Sequence, residues 1–106
     1  MMKQVLFSAI VAAMLAPILA SAVSAGPISR ACVTSGRQAA NSRLCGCIQS
    51  VADAALSSSD QRLAARFFRD PHMAQEIRQS DRAHHESFWK RYKLFGTKAE
   101  QLCARY

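Results

Sequence analysis

The sequence predicts an all-α fold, a small bundle of four to five helices that two disulfide bonds hold together. Beyond residue 25 it has no run of alternating β-branched residues of the kind that strands require. Apolar residues recur there at helical spacing, between residues that are typical of helix caps. The same part of the chain holds four cysteines, and an even number in a small exported protein is typical of a disulfide framework.

The N-terminus is predicted to be a secretory signal peptide. Lys3 precedes an apolar run over residues 5–19, and the small-residue segment Ala20–Ala25 follows it. This succession predicts cleavage before Gly26, with Ala20–Ala22 as a second candidate site. An uncleaved membrane anchor is the alternative, because the run approaches the ~20 apolar residues that span a bilayer. Its alanine, serine and proline content favours cleavage.

Cleavage would leave a single domain, residues 26–106. Of the 106 residues in the chain 81 would remain, and the formal net charge would fall from +7 to +6 because Lys3 is the only charged residue removed. A domain of this size buries only about 60% of the surface that its unfolded chain exposes, so it is marginal without further support. We therefore expect a periplasmic or secreted protein, in an oxidising compartment where disulfides supply that support.

Two helices are predicted in the first half of this domain. Pro27 suits the first position of a short helix that Gly36 ends. Asn41 or Ser42 caps a second helix, which is expected to stop within Ser57–Ser59. The apolar residues of the second helix, at helical spacing, are Leu44, Ile48, Val51 and Ala55.

A third helix is predicted to begin at a capping box, in which Ser58 is paired with Gln61 three residues later. The two faces of this helix differ in chemistry. The apolar face comprises Leu63, Ala64, Phe67 and Phe68, and the other face comprises Arg62, Arg66 and Arg69. Burial of the apolar face would therefore turn the arginines toward solvent.

The rest of the chain is predicted to form a long fourth helix and a short last one. Asp70 and Pro71 are a cap and a first-turn proline for the fourth helix. Gly96 is expected to end it, and Thr97 with Glu100 forms a capping box for the last helix. Because its middle is polar, a kink or a division into two shorter helices is the alternative. Its apolar stripe comprises Met73, Ile77, His84, Phe88, Tyr92 and Phe95, with Trp89 beside it.

The spacing of Cys45 and Cys47 points them to different neighbours of the second helix. At ~100° per residue their side chains diverge by about 200°, so they cannot bond to each other without unwinding that turn. The preferred pairing is Cys32–Cys45 with Cys47–Cys103, and the swapped pairing is the alternative. In the loop-entropy account the shorter closure contributes ~3 kcal/mol and the longer ~4 kcal/mol. A copper or zinc clasp and a redox pair are weaker readings, since an oxidising compartment favours disulfides.

Neither a catalytic site nor a cofactor site is predicted. Asp81, His84 and His85 come nearest to a metal or acid–base cluster, but adjacent histidines on a helix diverge by about 100°. A zinc site needs three or four convergent ligands, so we expect no metal and no cofactor. One histidine is instead expected to be partly buried and bonded to Asp81, with the other at the surface. The sequence also has no nucleophile elbow and no glycine-rich phosphate loop, which predicts that the protein is not an enzyme.

Basic residues are the main functional signal. Arg62, Arg66 and Arg69 recur at i, i+4 and i+7, and Arg91 with Lys93 forms a second basic cluster. A net charge of +6 on a small domain creates a field that favours anionic partners. We therefore expect these five residues to be candidates for binding an anionic envelope component, with a protein partner as the alternative. No specific nucleic acid is expected, and membrane contact would be peripheral only.

Two functions remain compatible with the sequence. The first is a small binding or structural module of the periplasm, and the second is a basic protein that binds anions or a membrane surface. Full burial of Phe67 and Phe68 would favour the first. An exposed apolar patch beside the arginines of the third helix would favour the second.

Three segments together resemble a known family. They are LCGCIQSVAD, SDQRLAARFFRDPHMAQEIRQSD and FWKRYKLFGTKAEQLC. The family consists of small exported alphaproteobacterial helical proteins with a CGC motif, which automated naming sometimes calls "arginine transporter". The resemblance covers nearly the whole mature chain and implies no functional residues. A cleaved leader leaves no membrane span, and a charge of +6 repels cationic arginine, so the label implies at most an accessory role in transport.

Overall fold

Five α-helices make up the part of the chain that the computed structural model describes, residues 26–106. They are α1 (Pro27–Val33), α2 (Ser42–Ala55), α3 (Ser58–Arg69), α4 (Pro71–Arg78) and α5 (Ala83–Cys103). No strand occurs within this range, so the predicted all-α class is confirmed. None of these five helices is long and apolar enough to cross a membrane. The predicted signal peptide lies outside the described residues.

The central element is α2, which packs against both α1 and α5. In addition, α1 packs against α3, and α4 contacts both α3 and α5. Aromatic rings from α3 and α5 meet in the interior, where Phe67 lies edge-on to Phe88 and Tyr92 with ring centroids 6.0 and 5.3 Å apart. The buried core residues are Ile28, Val51, Ala52, Leu56, Ala64, Phe67, Ile77, Phe88, Phe95 and Cys103.

Two disulfides fasten both ends of this domain to α2. Cys32 of α1 is bonded to Cys45, and Cys47 is bonded to Cys103 at the end of α5. The preferred pairing is therefore confirmed, and the bonds join residues 13 and 56 positions apart. Structural disulfides of this kind indicate an oxidising, extracytoplasmic compartment.

Local capping chemistry sets where α2 and α3 begin, with one correction to the prediction. Asn41 caps α2, because its side chain accepts a hydrogen bond from a first-turn backbone N–H at 2.8 Å. The cap of α3 is Ser57 and not Ser58; the Ser57 hydroxyl accepts a first-turn N–H at 3.2 Å. Gln61 completes no capping box there, because its side chain is drawn inward toward α2. Gly36 lies beyond the end of α1 and has a left-handed φ of 76°.

The predicted fourth helix is divided, and its predicted end is wrong. The chain leaves helical geometry at residues 79–82, which separates α4 from α5 as the alternative prediction allowed. Gly96 does not end the helix, and Thr97 with Glu100 forms no capping box, because α5 continues to Cys103. The Thr97 hydroxyl instead donates to a backbone carbonyl one turn earlier, at 3.1 Å. A glycine inside a helix costs about 1 kcal/mol relative to alanine, and the helix formers after it, together with the Cys103 disulfide, offset that cost.

Candidate functional site

A buried polar cluster of Gln49, Gln61 and Asp53 sets the positions of α1 and α3 on α2. Gln49 is 3% exposed; it accepts the Ser29 N–H and donates to Asp53 and Gln61, each at 2.8 Å. Gln61 is 6% exposed and donates to two backbone carbonyls at the end of α2 and just beyond it, each at 3.3 Å. Gly26 packs on this cluster so closely that a methyl group there would overlap the Gln49 carboxamide. The cluster thereby fixes the approach of α1 to α3.

Between α1 and α3 lies an open groove of about 380 Å³, which we call the arginine groove. It is lined by Pro27, Arg30, Ala31, Thr34, Arg62, Ala65, Arg66 and Arg69. The three arginines that the sequence placed on one face of the third helix therefore come together, and all three are exposed. Arg30 joins them from α1. Arg30 was not among the predicted residues, because no local pattern in the sequence signals the packing of α1 against α3.

The lining of the arginine groove is positively charged, and no acidic residue of the described part of the chain belongs to it. Within residues 26–106, Arg62, Arg66 and Arg69 take part in no salt bridge, and no acidic side chain lines the groove. On an α-helix these three positions fall within an arc of about 60° and span about 10 Å along the axis. Guanidinium groups are planar forks of N–H donors that match phosphate and carboxylate oxygens. The arrangement is therefore suited to binding anions.

The second predicted basic cluster does not join this groove. Arg91 grips Asp60 of α3, with 2.6 Å between Nε and Oδ2 and 3.1 Å between Nη2 and Oδ1. The hydrogen bonds to the Asp60 carboxylate raise the pKa of Arg91. Lys93 is exposed on α5 and lies outside the arginine groove. Arg91 therefore joins α5 to α3 through its ion pair with Asp60. This role was not predicted from the sequence, where Arg91 was assigned to a basic cluster with Lys93.

A second groove, of about 470 Å³, lies between α2 and α5 and is mostly apolar; we call it the apolar groove. It is lined by Cys47, Ser50, Val51, Ala54, Ala55, Arg91, Leu94, Lys98 and Leu102. Leu94 and Leu102 remain 62% and 59% exposed. This surface was not predicted, because a helix end at Gly96 would place the two leucines on different helices. In one continuous helix they lie two turns apart on the same side.

The histidines differ in two respects from the prediction. His84 is exposed and does not belong to the apolar stripe, whereas His85 is half-buried. His85 Nδ1 lies 2.7 Å from the hydroxyl of Ser80, so its partner is Ser80 and not Asp81. The reason is that Ser80 lies in the turn before α5, where its hydroxyl reaches the ring. Partial burial, then the charges of His84 and Arg82, lower the pKa of His85 below 6.5. Among residues 26–106, no three His, Cys, Asp or Glu side chains are grouped to hold a metal ion.

The apolar face of α3 is largely covered. Phe67 is buried and Phe68 is half-buried, with the Arg37 guanidinium 5.4 Å from the Phe68 ring centroid. No large apolar patch therefore adjoins the arginines through these rings. In the described part of the chain, the two most exposed large apolar side chains are instead Leu94 and Leu102 of α5.

Comparisons with protein-family models, with curated proteins and with solved structures found no match to this chain. The class of this protein is therefore defined only by the structural features of residues 26–106. It is a small helical domain with two disulfides, a cationic groove between α1 and α3, and an apolar groove between α2 and α5.

Proposed function

We propose that this chain is a small, non-catalytic binding module that is exported to the periplasm or secreted, with its leader removed before Gly26. The leader pattern of residues 1–25 and the two disulfides support export. In addition, α1 begins at Pro27, directly after the predicted junction. Intact-mass measurement of protein purified from an exporting host tests this part. The expected mass is that of residues 26–106, and a mass that includes the leader would contradict removal before Gly26.

The module binds an anionic envelope component through the arginine groove. The observation that carries this proposal is the gathering of Arg62, Arg66 and Arg69 in one groove without an acidic partner among the described residues. Arg66 and Arg69 lie in the last turn of α3, where the helix dipole favours cations by about 0.3–1 kcal/mol. Like charges one turn apart offset about 0.2–0.5 kcal/mol of this per pair, and Arg62 lies too far from the helix end to benefit, so the stability of α3 does not account for all three arginines. Solubility would be served equally well by scattered charges. Anion binding, in contrast, requires several cations close together in one groove, which is the arrangement of these arginines.

The spacing of the arginines favours a partner with several anionic groups. Arg62 and Arg69 are about 10 Å apart along the helix axis, which exceeds the reach of a single phosphate or carboxylate. One such group contacts two neighbouring arginines at most, whereas a row of them occupies all three. Lipopolysaccharide and the headgroup layer of an anionic membrane have this chemistry. Free arginine, the solute that the family label suggests, has the wrong charge for this groove.

The test compares the wild type with an Arg62→Gln/Arg66→Gln/Arg69→Gln variant in binding to lipopolysaccharide and to anionic vesicles. The matched control removes three arginines that are exposed and line neither groove; it carries Gln at positions 43, 78 and 82. Both variants lose the same formal charge, so a difference between them reports position and not net charge. Circular dichroism establishes that both are folded. Binding is measured at low salt and at physiological salt. At physiological salt, charge–charge interactions between exposed groups are screened over about 8 Å.

We expect the groove variant to lose at least tenfold in affinity, the control to lose much less, and wild-type binding to weaken as salt rises. Equal losses in both variants would show that net charge alone attracts the ligand. Absence of salt-dependent binding by the wild type would favour the other function, a structural or protein-binding module whose arginines only keep it soluble. That function is supported by the burial of Phe67 and by the two disulfides.

A further inference from the structure

The apolar groove between α2 and α5 presents a second surface that anion binding at α1 and α3 does not use. The two grooves share no lining residue. In a domain with few large apolar residues, Leu94 and Leu102 are left 62% and 59% exposed instead of being packed in the core. The facing surface of α2 is built from small side chains, among them Ser50 and Ala54. Two leucines on one wall and small residues on the other leave a channel between the helices.

We propose that this groove binds the alkyl chain of a single fatty acid, with Lys98 holding its carboxylate. A groove of about 470 Å³ is within the range of roughly 300–1,000 Å³ that small-molecule sites occupy. Its walls are almost entirely apolar, and its polar lining consists of Ser50 and two cations, Arg91 and Lys98, with no acidic residue. Arg91 is already paired with Asp60. Lys98 has no salt-bridge partner within residues 26–106 and is the cation available to a headgroup.

Charge and shape favour this occupant over a second copy of the chain. A two-fold dimer through the groove would place the same patch against itself, so the two cations of one copy, Lys98 and Arg91, would face a surface that carries the same two cations and no acidic residue. Like charges at such an interface are repulsive. An anionic amphiphile has the opposite charge, and its alkyl chain would cover the exposed apolar walls of the groove.

The same features disfavour docking of the groove onto a flat membrane. A helix that lies in a membrane interface needs a broad apolar face. Here Lys98 lies between Leu94 and Leu102 on α5, and the surface is concave, since it lies between two helices. A concave channel accommodates one alkyl chain. Contact with a flat membrane requires instead an apolar face that protrudes from the protein.

The experiment uses the full chain, expressed in an exporting host and purified oxidised, with dodecanoate as the probe below its micelle-forming concentration. Binding is measured by isothermal titration calorimetry and by native mass spectrometry. Two variants alter the groove at exposed positions: Ala54→Trp fills it, and Lys98→Glu reverses the charge at the headgroup. Ala83→Trp, also exposed but outside the groove, is the control for adding a tryptophan. Dodecyltrimethylammonium, with the same chain and a positive headgroup, is the control ligand.

We expect one dodecanoate per chain, at least tenfold weaker binding in Ala54→Trp and in Lys98→Glu, and wild-type affinity in Ala83→Trp. The cationic ligand should bind the wild type much more weakly than dodecanoate. Unchanged binding in Ala54→Trp, equal binding of the two ligands, or no binding of dodecanoate would each overturn the proposal. So would binding to vesicles alone, or a dimer in gel filtration that Ala54→Trp dissociates. Because the Arg62/Arg66/Arg69 variant leaves this groove intact, it should bind dodecanoate normally, so the two proposals fail separately.

Discussion

Replacement of Gln49 by alanine should destabilise the domain more than any surface substitution of the same kind. The Gln49 carboxamide is 3% exposed and makes hydrogen bonds of 2.8 Å to Ser29 N, Asp53 Oδ1 and Gln61 Oε1. Truncation leaves the Ser29 N–H and the Gln61 carbonyl buried without their partner. Asp53 is exposed and can turn to water.

The size of the effect follows from those two groups. A buried donor or acceptor without a partner costs about 1–3 kcal/mol, so the variant should lose roughly 2–6 kcal/mol of unfolding free energy. A domain of 81 residues has about 4–12 kcal/mol in total, at roughly 0.05–0.15 kcal/mol per residue. A large fraction of the stability therefore depends on one uncharged side chain.

Urea unfolding of the oxidised protein, followed by circular dichroism, measures this loss. Gln75→Ala in α4 is the matched control, because Gln75 is exposed and its replacement should change the stability by no more than about 0.5 kcal/mol. A Gln49→Ala/Gln61→Ala double variant should lose less than the sum of the two single variants, since both act on one cluster. A loss below about 1 kcal/mol for Gln49→Ala, or additive losses, would refute the account of this cluster.

The longer disulfide, Gly26, His85 and the metal content of the protein each give a measurable expectation. Removal of the longer disulfide by Cys47→Ala/Cys103→Ala should lower the unfolding free energy by ~4 kcal/mol, from a loop of 56 residues; a loss under 1 kcal/mol in urea unfolding would be inconsistent with loop entropy. Gly26→Ala should lower the melting temperature, because the added methyl group would overlap the Gln49 carboxamide; an unchanged melting temperature would mean that the carboxamide moves aside. Partial burial lowers the pKa of His85 below 6.5, so the neutral ring's contribution to the free energy of unfolding is complete above about pH 6.5 and is lost as the pH falls further. The decline of stability at acidic pH should therefore be shallower in His85→Gln, and identical pH profiles of stability in the two proteins would refute this. Elemental analysis of the purified protein should show no stoichiometric zinc, copper or iron; about one metal per chain would contradict this.

Features that depend on neighbours in the sequence were predictable. The positions of Cys45 and Cys47 on one helix exclude a bond between them, so the pairing with distant cysteines followed from helix geometry and was confirmed. Asn41 as a cap and Pro27 as a first helical residue are also local choices, and both are observed. These signals suffice for the helix class and for the framework of disulfides.

Features that depend on tertiary contacts were not predictable. Ser58 and Gln61 match a capping box, but Gln61 stabilises the fold more as a buried bridge to α2 than as a cap. Gly96 is a usual helix terminator, yet the disulfide at Cys103 and the packing of α5 on α2 keep the helix continuous. Local propensity is a weak signal that such contacts override.

The candidate sites show the same division. Amphipathic spacing correctly placed Arg62, Arg66 and Arg69 on one exposed face of α3. The contribution of Arg30 depends on the packing of α1 against α3, and the pairing of Arg91 joins residues 31 positions apart. Neither has a counterpart in the local pattern of the chain.

Binding of anions in the arginine groove can be observed residue by residue with NMR. Pyrophosphate is titrated into the labelled protein at low salt while the arginine Nε–Hε signals and the backbone amides are observed. We expect saturable shifts of the side-chain signals of Arg62, Arg66 and Arg69 and of the amides in α1 and α3. Shifts that are largest at Lys93 and Lys98 in α5, or no saturable shift at the three arginines, would contradict anion binding in this groove.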